Sequence, residues 1–146
     1  SLARPSLADV LIGQGFLSKQ AVEDALRRLN GVAAALGPTL MGEGLLSEEQ
    51  LARALAAQYG LPYDPLTDFR VDPQYYETIS VKLMQRYPFV PIGERAGVLT
   101  IAISDPQNLL GLDELELLIG KPLDRVVSSK SAILAALERS EGSSQA

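Results

Sequence analysis

The chain has no cysteine, no histidine and no tryptophan among its 146 residues, and only 5% of it is aromatic. Without cysteine there is no disulfide framework, no thiolate metal site and no cysteine nucleophile. Without histidine the commonest general base and the commonest metal ligand are both missing; catalysis would have to rest on carboxylates, and none is expected. No apolar run approaches the roughly eighteen residues of a membrane-spanning helix, and nothing at the start reads as a signal peptide. The expectation is a cytoplasmic, non-spanning chain. Positive charge is also short. Thirteen Lys and Arg face eighteen Asp and Glu, a net charge of −5, whereas a broad nucleic-acid surface needs clustered cations; no nucleic-acid partner is expected. The deficit is uneven, since residues 1–60 carry five basic and six acidic groups and residues 61–146 carry eight and twelve.

What the chain does have, it states twice. "LADVLIGQGFLSKQAVEDAL" from Leu7 matches "LGPTLMGEGLLSEEQLARAL" from Leu36 without a gap, at an offset of 29 residues. Leu7/Leu36, Leu11/Leu40, Gly13/Gly42, Gly15/Gly44, Leu17/Leu46, Ser18/Ser47, Ala25/Ala54 and Leu26/Leu55 are identical. Chance would give about one or two identities over such a window, so the unit is duplicated. Each copy reads as a short helix ended by Gly15 or Gly44, two apolar residues, and a longer helix capped by Ser18 or Ser47. Ser47 and Gln50 make a full capping box; Ser6 and Asp9 make a variant of one at the first start.

The fold expected is α+β. A four-helix subdomain of two tandem helical hairpins occupies residues 4–60. A proline-rich linker follows at 61–73, with no helical period. Residues 74–139 read as an αββαβα sandwich with a small three-stranded sheet: one helix over "QYYETISVKLMQRY", two strands joined by a turn around Gly93–Gly97, a helix over "LLGLDELELLIG", a strand at "LDRVVSS" and a last helix. Residues 140–146 read as a polar, frayed tail.

Nucleotide-triphosphate chemistry finds no motif. Gly111 and Gly120-Lys121 have eight residues between them where a P-loop has four. Asp113, Glu114 and Glu116 are most simply a solvated helix face. The repeat is more informative. A helix N-terminus offers unpaired N–H groups to an anion, and a small second residue (Ala8, Gly37) lets a ligand come close to the backbone. Two such starts about a local two-fold axis would suit a ligand with two phosphates and two equal halves. The plainer alternative stays open: a duplicated hairpin whose glycines end helices and whose leucines pack.

The tandem pattern LGxxLxxxG, two apolar residues, a polar start and a helix ending in Gln resembles the MshEN-type N-terminal domain of type II secretion and type IV pilus assembly ATPases. Leu36 to Gln58 is the fuller copy and Leu7 to Leu29 the looser one; "YPFVPIGERAGVLTIAISDP" and "IGKPLDRVVSS" also follow the family's order. The resemblance implies binding of cyclic di-GMP, with no other cofactor and no metal. It implies a site at Leu36, Gly37, Leu40, Gly44, Leu45, Leu46 and Gln58 in the second copy. In the first copy it implies Leu7, Ala8, Leu11, Gly15, Phe16 and Leu17. Three positions depart from the motif: Ser6 and Ala35 stand where a cation often precedes LG, and Leu29 stands where Gln is expected. Arg4 could supply a cation, and Asp105 in "SDP" a carboxylate for a guanine edge; a turn before Pro106 accounts for Asp105 equally well. The resemblance further implies a motor domain elsewhere in a homohexameric parent at the cytoplasmic face of the inner membrane, held there by a platform protein. The rival reading is a docking module that binds no nucleotide and presents residues such as Phe69, Tyr75 or Leu109.

Overall fold

Serine starts and glycine stops shape the first half of the chain. The computed structural model describes residues 3–144 and divides into two units, Ser1–Leu61 and Pro62–Ala146. In the first, α1 (Leu7–Gly13), α2 (Lys19–Arg28), α3 (Leu36–Gly42) and α4 (Glu48–Tyr59) repeat one local design. Gly15 and Gly44 both adopt φ +74°, a left-handed conformation that costs glycine little. The chain then returns by the same bonds in each copy. Phe16 N donates to Leu11 O and Leu45 N to Leu40 O, both at 3.0 Å. Ser18 Oγ accepts from Ala21 N at 3.1 Å and Ser47 Oγ from Gln50 N at 3.0 Å. Only the second cap is reciprocated, by Ser47 N to Gln50 Oε1 at 3.0 Å. At the first start, Ser6 Oγ accepts from Asp9 N at 3.1 Å.

The apolar faces meet in one small core of Leu11, Val22, Ala25, Leu36, Leu40, Leu46 and Ala54. Helix α1 lies beside α4, and α2 beside α3. Exchanging each helix for its counterpart in the other copy turns the first pair into the second, as a local two-fold arrangement requires.

The second unit is αββαβα. It holds α5 (Val81–Arg86), β1 (Phe89–Arg95), β2 (Val98–Ile103), α6 (Leu109–Ile119), β3 (Leu123–Val127) and α7 (Lys130–Ser144). Strand order is β1-β2-β3, the first pair antiparallel and the second parallel. Phe89, Val90, Leu99, Ile101 and Ala102 join Met84, Leu115, Ile133 and Leu137 in its core.

Four expectations are corrected here. The single helix expected after Pro73 is two elements, a 3-10 turn at Pro73–Glu77 and α5, because Ser80 takes an extended conformation and caps Leu83 N at 3.1 Å. The hairpin turn is Ala96-Gly97, with φ of +53° and +81°. Gly93 lies inside β1 opposite Thr100, beside a bulge. Residues 62–73, expected as a linker, pack within the second unit. Val127 N donates to Pro62 O at 2.8 Å and Asp64 N to Val127 O at 2.9 Å, which extends the sheet past β3. Leu66 and Val71 are core residues. Finally, α7 continues to Ser144, through most of the expected tail. Ser140 is buried, its Oγ accepting from Val71 N at 2.8 Å and donating to Ala136 O at 2.7 Å. The last two positions of that tail, Gln145 and Ala146, lie outside the described residues.

Candidate functional site

The start of α1 and the end of α4 meet, and polar groups gather at their junction. The guanidinium carbon of Arg4 sits 4.0 Å from the centroid of the Tyr59 ring, a cation–π distance. Gln58 Nε2 donates to Pro5 O at 3.2 Å, while its Oε1 is buried with no partner. Arg4 and Gln58 thus lie together at the start of α1, where Pro5, Ser6 and Leu7 also stand. Tyr59, which Arg4 covers, was not among the candidates read from the sequence; its only signal was an aromatic next to Gln58.

The equivalent junction between α2 and α3 lacks these groups. Ala33 stands for Arg4, Leu29 for Gln58 and Asn30 for Tyr59. The chain passes from α2 to α3 through a 3-10 turn at Ala33–Ala35, and Leu36 N already donates to Ala33 O. Ala35 offers α3 no side-chain cap, and Pro38 in its first turn has no N–H. In α1 the corresponding N–H, that of Asp9, is taken by Ser6 and carries a carboxylate beside it. Helix starts alone therefore make poor phosphate sites here, and Arg4 is the cation best placed in this unit to meet one.

The apolar part of the motif divides by burial. Leu11, Leu36, Leu40 and Leu46 are core side chains, between 0% and 4% exposed, and offer little surface for contact outside the core. Leu7, Ala8, Phe16, Leu17 and Leu29 are half-buried at its edge, and Leu45 is 47% exposed. Gly15 and Gly44 end their helices. Gly37 was read as a place for a ligand to approach the backbone, but its missing side chain serves packing. A Cβ there would lie 2.9 Å from Leu51 Cδ1 and 3.5 Å from Leu7 Cδ2. The first copy has Ala8 for Gly37 and Val22 for Leu51, a methyl group more on one side and a methylene less on the other. Gly37→Ala is thus expected to destabilise by about 1–2 kcal/mol despite alanine's better helix propensity. Adding Leu51→Val, which recreates the first copy's pairing, is expected to recover most of the loss in urea unfolding, a non-additive result for neighbouring side chains.

Asp105 belongs to the second unit. It lines a cavity of about 180 Å³ with Arg86, Tyr87, Asn108 and Leu112. Its Oδ1 accepts from Gln107 N at 3.0 Å, the local turn that was its plainer explanation. Nearby, a hydrogen bond to Glu114, assisted by burial, holds the Tyr87 hydroxyl above its usual ionisation range.

Type IV pilus and type II secretion proteins recur among the known proteins similar to this chain, beside bacteriophage adsorption protein B of Escherichia coli, 24% identical over 132 residues. The MshEN domain profile matches residues 59–146, the whole second unit and the last residues of the first. The type IV pilus assembly ATPase PilB of Myxococcus xanthus is 29% identical over 133 residues, 91% of this chain and 24% of the relative. Type II secretion system protein E of Xanthomonas campestris pv. campestris is 30% identical over 144 residues, 90% of this chain and 25% of the relative. The solved structure of MshE with cdg superposes with a TM-score of 0.76 at 29% identity, covering 93% of this chain and 99% of that one. The chain spans between 15% and 24% of the length of three pilus ATPases it matches.

Proposed function

The chain belongs to the MshEN domain family, and on that premise we propose that it is a cyclic di-GMP-binding regulatory part of an ATPase driving type IV pilus assembly or type II secretion. One observation carries the reading: the likeness, over nearly the full length of both chains, to MshE with cdg, which we read as cyclic di-GMP. In this reading motor activity resides outside these 146 residues. The parent is a cytoplasmic homohexamer working against an inner-membrane platform, and no helix among the described residues is long and apolar enough to cross a membrane.

The ligand would engage the two halves of the repeat unequally. At the α1–α4 junction, Arg4 could leave Tyr59 to stack on a base or pair with a phosphate, and the unpartnered Gln58 Oε1 could accept from a guanine edge. Leu7, Phe16, Leu17, Leu29 and Leu45 would supply apolar contact. At the second junction neither the Arg4 cation nor the Gln58 amide has a counterpart, and this favours the rival reading, a docking module without a nucleotide.

Calorimetric titration of the chain with cyclic di-GMP, against cyclic di-AMP and GTP, separates the two. One-to-one binding confined to cyclic di-GMP is expected. Arg4→Ala should weaken it by about tenfold or more, the worth of one charge-assisted contact. Leu29→Gln with Ala35→Arg should strengthen it by a similar factor. Absence of heat at high ligand concentration would leave the docking reading standing.

A further inference from the structure

Helix α6 is apolar on both sides. Leu115 and Gly111 face the core, yet Leu110 and Leu117, two turns apart on the opposite face, are 83% and 84% exposed, and Leu109 and Leu118 flank them at 59% and 57%. Four exposed leucines on one short helix exceed the scattered apolar residues of an ordinary surface. The charges on the helix itself have one sign. Asp113 borders the Leu110–Leu117 stripe on one flank and Glu114 on the other, Glu116 lies a turn on, and α6 carries no Lys or Arg. Glu114 meets the neutral Tyr87 hydroxyl and Glu116 the Leu123 N–H, so neither is neutralised by these contacts. Of the cations nearby, Lys121 is paired with Glu94 at 2.7 Å, and Arg125 lies at one edge, in a recess shared with Asp113 and Glu116.

We infer that this face of α6 docks a basic amphipathic helix, one with an apolar stripe at helical spacing flanked by Lys or Arg. Charge decides the occupant. A second copy pairing through α6 would set carboxylates against carboxylates, and an anionic lipid surface would meet the same repulsion. A helix with basic flanks buries its apolar stripe on Leu110 and Leu117 and meets Asp113 and Glu114 with opposite charge, the helix-in-groove mode of recognition. The inference stands independently of the nucleotide reading, because it uses other residues in the other unit.

The probe is a synthetic leucine-striped helical peptide with lysine flanks, titrated by fluorescence anisotropy against the full 146-residue chain, beside the same peptide with glutamate flanks. The lysine peptide is expected to bind, more weakly as salt is added, and on the order of tenfold more tightly than the glutamate peptide. Leu110→Ser with Leu117→Ser should reduce its binding by a similar factor without moving the thermal midpoint, since both side chains are exposed. Asp113→Lys should weaken it as well. No binding, equal binding of the two peptides, or undiminished binding to the double variant would overturn the inference. So would a concentration-dependent dimer abolished by the double variant, which would give the surface to a second copy.

Discussion

Leu40→Ala is expected to destabilise the first unit by about 2–5 kcal/mol, and Leu11→Ala by a comparable amount. Both side chains are 0% exposed and occupy the same place in the two copies. Each truncation removes buried area and opens a cavity that four short helices can close only in part. A unit of this length has only about 3–9 kcal/mol of stability to lose, so either variant should unfold it or bring it close to unfolding. Hydrogen exchange across 7–59 is the measurement, because it reports the helices of this unit separately from the second. If either variant kept native protection while binding ligand poorly, the leucine would be a ligand contact, as its motif position first implied, and its place in the core would be secondary.

In the second unit the largest polar effect is expected at Arg139 and Ser140. Arg139 donates to Leu66 O at 3.0 Å and to Phe69 O at 3.1 Å, and Ser140 satisfies the Val71 N–H. These bonds hold a segment in which Leu66 and Asp68 both have φ of +54°, a conformation unfavourable to side-chain-bearing residues. Arg139→Ala should cost about 2–3 kcal/mol through the lost charge-assisted bonds, and Ser140→Ala about 1–3 kcal/mol through a buried N–H left unpaired. Four of the five tyrosines lie in this unit, so near-ultraviolet circular dichroism during urea unfolding follows it. A chain ending at residue 139 should lose its signal cooperatively at lower urea, whereas one ending at 144 should match the full chain. Equal midpoints for the two truncations would show that Ser140 contributes nothing.

The helices of the first unit were legible in the sequence because their causes are local: a serine before each longer helix, a glycine after each shorter one, and an apolar period repeated after 29 residues. Residues 62–73 were not legible, because their order comes from Val127, Arg139 and Ser140, and the latter two are about seventy positions away. Polarity made Ser140 look like surface when it is a buried hydrogen-bonding group. Around Ser80 the opposite happened. Ile79 and Met84 fell within one apparent helical pattern and are both buried, yet Ile79 lies in the bend between the 3-10 turn and α5, and only Met84 is helical. At the candidate site, identity between the copies at Leu11/Leu40 and Leu17/Leu46 marked packing more than contact. The polar groups lie where the copies differ, at Arg4 against Ala33 and Gln58 against Leu29, and a search for repetition passes over such positions.

That difference follows from how a ring is closed. Four helices in cyclic contact need two seams between the copies, and the polypeptide can run through only one of them. Residues 29–35 form the continuous seam, where a covalent tether holds the helices together and small alanines suffice. At the other seam no segment runs from α4 directly into α1, and Arg4 on Tyr59 with Gln58 on Pro5 does what the tether does opposite. It is a clasp, able to open without breaking a covalent bond, and a molecule that competes for Arg4 or Gln58 would act on the joint where the ring can come undone.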